Sequence, residues 1–169
     1  MSSVTTAAAA ANRGAQVAGT PPGIETLDVR KELLVEAPVE VVWESLLEEM
    51  GPEGQMPDGS KFPRVLEAWP GGRWYRDLGN DAGHLWGHVQ VIKPPTLLEV
   101  CGPMFMSYPV ASHLRYRLTA EGKGTTRLAL VHRAVGLIDP QHTEGVNQGW
   151  EFMNQHVRRI AEAKAARGR

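Results

Sequence analysis

The stretch EGVNQGWEFMNQHVRRIAEAKAA, Glu144 to Ala166, decides how the whole chain is read. Its apolar residues fall at Val146, Trp150, Met153, Val157 and Ile160, with Ala161 and Ala165 beyond, steps of three and four that draw one stripe along a helix. Asp139-Pro140 precedes it as a turn or N-cap with proline at the first helical position; Thr143-Glu144 is the alternative start. Lys164, Arg167 and Arg169 follow with the cations that a helix C-terminus favours. About 20 residues of helix extend about 30 Å, and so long a stripe needs a surface to receive it. The preceding chain reads as that surface.

From Glu25 to Glu36, Leu27, Val29, Lys31, Leu33 and Val35 alternate with polar residues, the period of a half-buried strand. Pro38 then opens a helix in which Val39, Val42, Trp43, Leu46, Leu47 and Met50 form the apolar face, with Glu40, Glu44, Glu48 and Glu49 expected in water. Gly51-Pro52 ends it, and Glu53 to Pro63, rich in Gly, Pro, Asp and Ser, is left without an assigned element. Beyond lie short segments split by turn residues: Arg64–Trp69, Arg73–Leu78, His84–Lys93 and Thr96–Gly102, an antiparallel meander. The last hairpin joins Tyr108–Ala120 to Thr125–Val135. A loop at Gly122–Gly124 pairs Leu118 with Leu128, Tyr116 with Leu130 and Leu114 with His132, which keeps the apolar set on one face. The order strand, helix, about six strands, long helix predicts an α+β fold: a curved antiparallel β-sheet of about seven strands wrapped on a long C-terminal helix.

That order resembles the helix-grip fold of the START-like superfamily (SRPBCC: START, Bet v 1, polyketide cyclase). Four motifs resemble its activator of Hsp90 ATPase homologue (Aha1) C-terminal-domain-like branch. They are Glu36-Ala37-Pro38-Val39-Glu40-Val41-Val42-Trp43, Trp69-Pro70-Gly71-Gly72-Arg73-Trp74, Gly87-His88-Val89-Gln90-Val91-Ile92-Lys93-Pro94-Pro95 with Leu98, and Gly124-Thr125-Thr126-Arg127-Leu128 leading to Gly149-Trp150. The resemblance covers Glu25 to about Ala163 and implies a sheet curved around the long helix, with an internal cavity opening near the loops. One fold hosts many functions, and this superfamily includes carriers, cyclases and co-chaperone domains. In the co-chaperone the domain follows a separate chaperone-binding domain, for which Met1–Gly23 is too short and too bland, so an Hsp90-type chaperone is not an expected partner.

The chain has 169 residues, enough for one domain, read as 24–166 behind a flexible N-terminal tail of 1–23. That tail is Ala, Ser, Thr and Gly with no apolar period; its run Ala7–Ala11 would be a short helix only if something docked it. A net charge of −1 and a pI near 6.6 supply no general field for nucleic acid or an anionic membrane. Arg115, Arg117, Arg127 and Arg133 read as a solvated sheet face rather than an RNA surface, because no exposed aromatics interleave them. Cys101 is the single cysteine, so no disulfide forms within the chain and a cytoplasmic location is expected. No apolar run is long enough to span a membrane.

Histidine invites a metal reading that geometry rejects. Four residues along a strand separate His84 and His88 by about 13 Å, against zinc bonds of about 2 Å. In the hairpin register His132 points inward and His113 outward. No metal and no cofactor are expected. His132, beside Tyr116 and Leu130, is either a core histidine bonded to its neighbours or a polar anchor in a ligand cavity; a general-base role lacks an identifiable partner carboxylate. The tryptophans and the apolar connection Gly102–Pro109 form the second constellation, the latter as a cavity mouth or a homodimer patch. The expected function is non-catalytic binding of a hydrophobic or amphipathic small molecule, with a cavity lined by Trp69, Trp74, Val89, Phe105, Tyr116, Leu130, His132, Trp150 and Met153. The alternatives are a polyketide cyclase/dehydratase-like enzyme and a stress-related or co-chaperone-like interaction domain.

Overall fold

The structure is a computed structural model that describes residues 23–168. The tail expected over 1–23, with its polyalanine run, lies outside the described residues but for Gly23. Seven strands form one antiparallel sheet in the order β1-β7-β6-β5-β4-β3-β2. They are β1 (Glu25–Val35), β2 (Val65–Leu66), β3 (Arg73–Gly79), β4 (Ala82–Lys93), β5 (Leu97–Gly102), β6 (Val110–Ala120) and β7 (Thr126–Gly136). Helix α1 (Val39–Glu49) and the irregular stretch after it carry the chain from β1 at one sheet edge to β2 at the other. Helix α2 (Pro140–Arg167) lies across the concave face and packs on α1 and β1. This is the helix-grip architecture.

Local chemistry sets the ends of α2. The Asp139 carboxylate accepts the Gln141 N–H at 2.9 Å and Pro140 takes the first helical position, so the Asp139-Pro140 start holds and Thr143-Glu144 lies within the helix. At the other end Lys164 donates to Glu48 at 2.6 Å and ties α2 to α1. The β6–β7 register pairs Leu118 with Leu128, Tyr116 with Leu130 and Leu114 with His132, as the apolar pattern requires. Register shifts in β3 and β4, at Trp74/Tyr75 and Val89/Val91, bend the sheet around the helix.

Gly87 shows how tightly that bend is packed. It stands opposite Trp74 in the ladder, and a Cβ there would lie 2.6 Å from the Cys101 carbonyl oxygen. The fully buried Trp74 indole donates to the Met50 carbonyl at 2.7 Å. Trp150 of α2 descends onto it with ring centroids 6.5 Å apart. Phe105 and Tyr116 close around Trp150 at 5.3 and 6.4 Å.

Two expectations are corrected. Glu49 is fully buried rather than solvated, because it falls three residues after Leu46 and seven after Val42, on the apolar stripe itself. Trp69 sits on the turn after β2 with 55% of its surface exposed, so it is outside the interior that it was expected to line. Two of the four arginines assigned to the outer face are ion-paired: Arg127 with Glu32 and Glu121, Arg133 with Asp28. Such exposed pairs contribute little to stability, but they leave that face less basic than its sequence suggests.

Because Trp150 contacts both the sheet and the Phe105 loop, Trp150→Ala should destabilise the fold by about 3–5 kcal/mol. Urea unfolding monitored by far-ultraviolet circular dichroism checks this; a loss below about 1 kcal/mol, the scale of a surface substitution, would contradict the packing described.

Candidate functional site

The interior under Trp150 is solid. Trp74, Val89, Tyr116, Leu130, His132 and Trp150 are all at most 1% exposed and close-packed, so six of the nine expected cavity residues belong to the core. One open volume among the described residues lies to one side of them. It is a cleft of about 500 Å³ between the N-terminal half of α2, the Phe105–Met106 loop and the Gln55–Arg64 stretch, and Phe105 and Met153 of the expected set line it. The Gly102–Pro109 connection reaches the cleft through Phe105 and Met106. Its Met104 and Met106 are buried anchors, while Phe105 between them is 38% exposed at the cleft.

The cleft wall is mostly apolar: Phe62, Phe105, Met106, Val146, Phe152 and Met153. Gly145 and Gly149, one turn apart on α2, leave its backbone bare there, and a Cβ at either position would meet nothing within 4 Å. Arg64, just before β2 and 5% exposed, is the charged side chain in that wall.

Arg64 opens a buried polar cluster. Its Nη2 donates to the Glu49 carboxylate at 2.8 Å and to the Glu49 backbone carbonyl at 2.5 Å. The other Glu49 oxygen bonds Nδ1 of His156 on α2. Burial pushes the Glu49 carboxyl above its ordinary range, although Arg64 and His156 favour its ionised form; the same burial lowers Arg64. Beside them the Tyr116 hydroxyl donates to Asn154 Oδ1 at 2.9 Å, and burial lifts that phenol far above its usual value, so it stays a neutral donor. Arg64 Nε and Asn154 Nδ2 are buried without partners. Residue spacing held signs of this cluster. Asn154 is one turn from Trp150 and His156 three residues from Met153, both on the buried side of α2.

His132 is inside and His113 outside, as the register requires; His113 Nε2 lies 3.4 Å from a Glu99 oxygen on the outer face. The Trp150 indole N–H donates to His132 Nδ1 at 2.9 Å, so the imidazole is neutral with its proton on Nε2, which is buried and unpaired. Burial, with a smaller contribution from the charge of His113, lowers its pKa to about 4. His132 is thus a core histidine holding Trp150, and it does not line the cleft. Among the described residues no group of three His, Cys, Asp or Glu side chains is placed to hold a metal.

Solved structures share this fold at low sequence identity. A Staphylococcus aureus protein of unknown function, SA2116, aligns with a TM-score of 0.63 and 13% identity over 83% of this chain and 96% of its own. CalU16 from Micromonospora echinospora aligns at 0.55 and 20% identity, over 86% of this chain and 90% of its own. The di-domain ARO/CYC StfQ of the steffimycin biosynthetic pathway aligns at 0.56 and 14% identity, over 84% of this chain and 51% of its own. No protein-family model matches the sequence, and no curated protein matches it.

His132 makes stability depend on pH. Unfolded, the imidazole titrates near 6.5; folded, near about 4. Between those values the unfolded chain holds the extra proton, so the contribution is complete above pH 6.5 and is lost as pH falls through about 4. The full loss is about 3 kcal/mol. Urea titrations at stepped pH should show this slope, and His132→Gln should flatten it; an unchanged slope in the variant would assign the acid sensitivity to other groups.

Proposed function

We propose that this protein is a non-catalytic, cytoplasmic binding protein that holds a hydrophobic or amphipathic small molecule in the cleft beside the grip of α2. The observation that carries this reading is the pair Gly145 and Gly149. A glycine inside a helix costs about 1 kcal/mol relative to alanine, and neither position is sterically crowded. The helix gives up stability at two successive turns, and what it gains is open space. Phe62, Phe105 and Phe152 around that space, with a few polar side chains, Gln55, Arg64, Gln141 and His142, in the wall, have the composition of a ligand site.

The placement of the buried pair Glu49 and His156 supports a binder over a cyclase/dehydratase-like enzyme. Glu49 and His156 are within hydrogen-bond reach of each other, but Glu49 is fully buried behind Arg64, and His156 faces a separate groove with Arg159 and Lys164. A catalytic acid or base must reach the proton that it moves. The finer placement that we propose, in the Aha1 C-terminal-domain-like branch, rests on the four sequence motifs. A cytoplasmic site is supported by the lone cysteine, and among the described residues no helix is long and apolar enough to cross a membrane.

Gly149→Leu sends a side chain into the cleft from a position where a Cβ meets nothing within 4 Å, and improves helix propensity by about 0.5–1 kcal/mol. Its thermal midpoint should equal or exceed the wild-type value, while saturable binding of an uncharged fluorescent probe such as Nile red should be lost. Binding that survives this substitution would place the ligand elsewhere.

A further inference from the structure

The groove that His156 faces is built differently from the cleft. It lies between the end of α1, the turn at Pro52–Gln55 and the C-terminal half of α2, and its volume is about 650 Å³. His156, Arg159, Ala163 and Arg167 line it at steps of three and four, so they share one face of the helix. Among the described residues no phenyl or indole ring lines it. Ala163, small and exposed, leaves the space between the two arginines open.

Its charges do not cancel. Lys164 is committed to Glu48 at 2.6 Å, and Arg158, beside Arg159 in the chain, to Glu162 at 2.9 Å. Among the described residues Arg159 and Arg167 have no carboxylate within 4.0 Å. Two guanidinium groups therefore face the groove against the exposed Glu53, in a chain whose net charge is −1. Eight residues of helix set them about 12 Å apart along the axis. A guanidinium presents a planar fork of donors, and a phosphoryl group offers it three acceptor oxygens and up to two charges.

The inner wall adds a fixed imidazole. His156 is 6% exposed, the Glu49 carboxylate bonds its Nδ1, and Phe152 stacks on its ring at 6.2 Å. Nε2 of His132 is sealed in the core, whereas Nε2 of His156 keeps access to the groove without a hydrogen-bond partner among the described residues. In an uncharged ring that nitrogen accepts from a hydroxyl; in a charged ring it donates to a phosphoryl oxygen. A phosphorylated polyol supplies a partner for either form.

We propose that this groove binds a sugar or other polyol bearing two phosphoryl groups, which Arg159 and Arg167 hold while His156 Nε2 bonds a neighbouring hydroxyl or phosphoryl oxygen. The binding is non-covalent. Gln55 borders both the groove and the cleft, but the proposal does not depend on what the cleft holds.

The test is isothermal titration calorimetry of the full chain at low salt, where charge contacts are least screened. The probes are fructose 1,6-bisphosphate, fructose 6-phosphate, fructose and inorganic pyrophosphate. The bisphosphate should bind saturably, one per chain, and about tenfold more tightly than the monophosphate or pyrophosphate, while fructose gives no signal. Arg159→Gln/Arg167→Gln should weaken it at least tenfold with an unchanged thermal midpoint. Arg115→Gln/Arg117→Gln removes the same charge from the sheet and should leave the affinity as it was. Equal weakening by the two double variants would reduce the effect to net charge and overturn the proposal. No saturable bisphosphate binding, or pyrophosphate binding as tight as the bisphosphate, would also overturn it. Gly149→Leu should leave bisphosphate binding intact; its loss there would move the sugar to the cleft and sink the groove assignment, whereas loss of Nile red alone bears only on the cleft.

Discussion

Burying the Trp150 indole brings an N–H group to a place that water does not reach, and His132 Nδ1 at 2.9 Å satisfies it. That bond joins α2 to the strand at the centre of the β1-β7-β6 half of the sheet, and it holds only while the imidazole is neutral. The other tryptophan contacts follow from it. With Trp150 set, Trp74 stacks beneath it, Phe105 closes from the loop side and Tyr116 meets it edge-on. An aromatic block of this kind is rigid, and rigidity on one side is what gives the neighbouring cleft a defined wall.

A second constraint is the carboxylate of Glu49. Arg64 and His156 both bond it, so one side chain of α1 holds the irregular stretch before β2 and the middle of α2. Buried ion pairs seldom add net stability, since desolvation offsets the attraction, but removing one partner leaves a stranded charge. The cluster therefore specifies where α1, α2 and the Gln55–Arg64 stretch meet. It also places a guanidinium in a largely apolar wall, where its Nη1 contacts only the weakly accepting Met153 sulfur.

The resemblance to START-like proteins and the structural likeness to SA2116, CalU16 and StfQ agree on architecture, and at 13–20% identity they speak to the fold alone. Within that architecture the particular features of this chain are the aromatic block that fills the space under α2 and the glycines that open one beside it. An expectation of a deep cavity beneath the helix followed naturally from the general fold. Five tryptophans, four of them in the buried core, are the reason that the volume lies at the side instead.

Periodicity alone was enough for β1, α1, α2 and the β6–β7 hairpin. The stripe of α2, the alternation in β1 and the β6–β7 register each depend on spacings of three, four or two residues, which local geometry imposes wherever the chain folds. His132 inside and His113 outside followed from the same parity. What spacing could not convey is which buried neighbour each inward group would find. Glu49 lay on the apolar stripe of α1, yet a glutamate is ordinarily solvated, and only the approach of Arg64 and His156, 15 and 107 residues away in sequence, makes its burial tolerable. The cleft has the same origin: Phe62, Phe105 and Gly149 come from separate elements, and their distance is decided by how the sheet bends and where Trp150 stops α2. Local rules act within a turn or a strand pair, whereas a buried charge network and a void depend on side chains brought together by the complete chain, and so they belong to the tertiary structure.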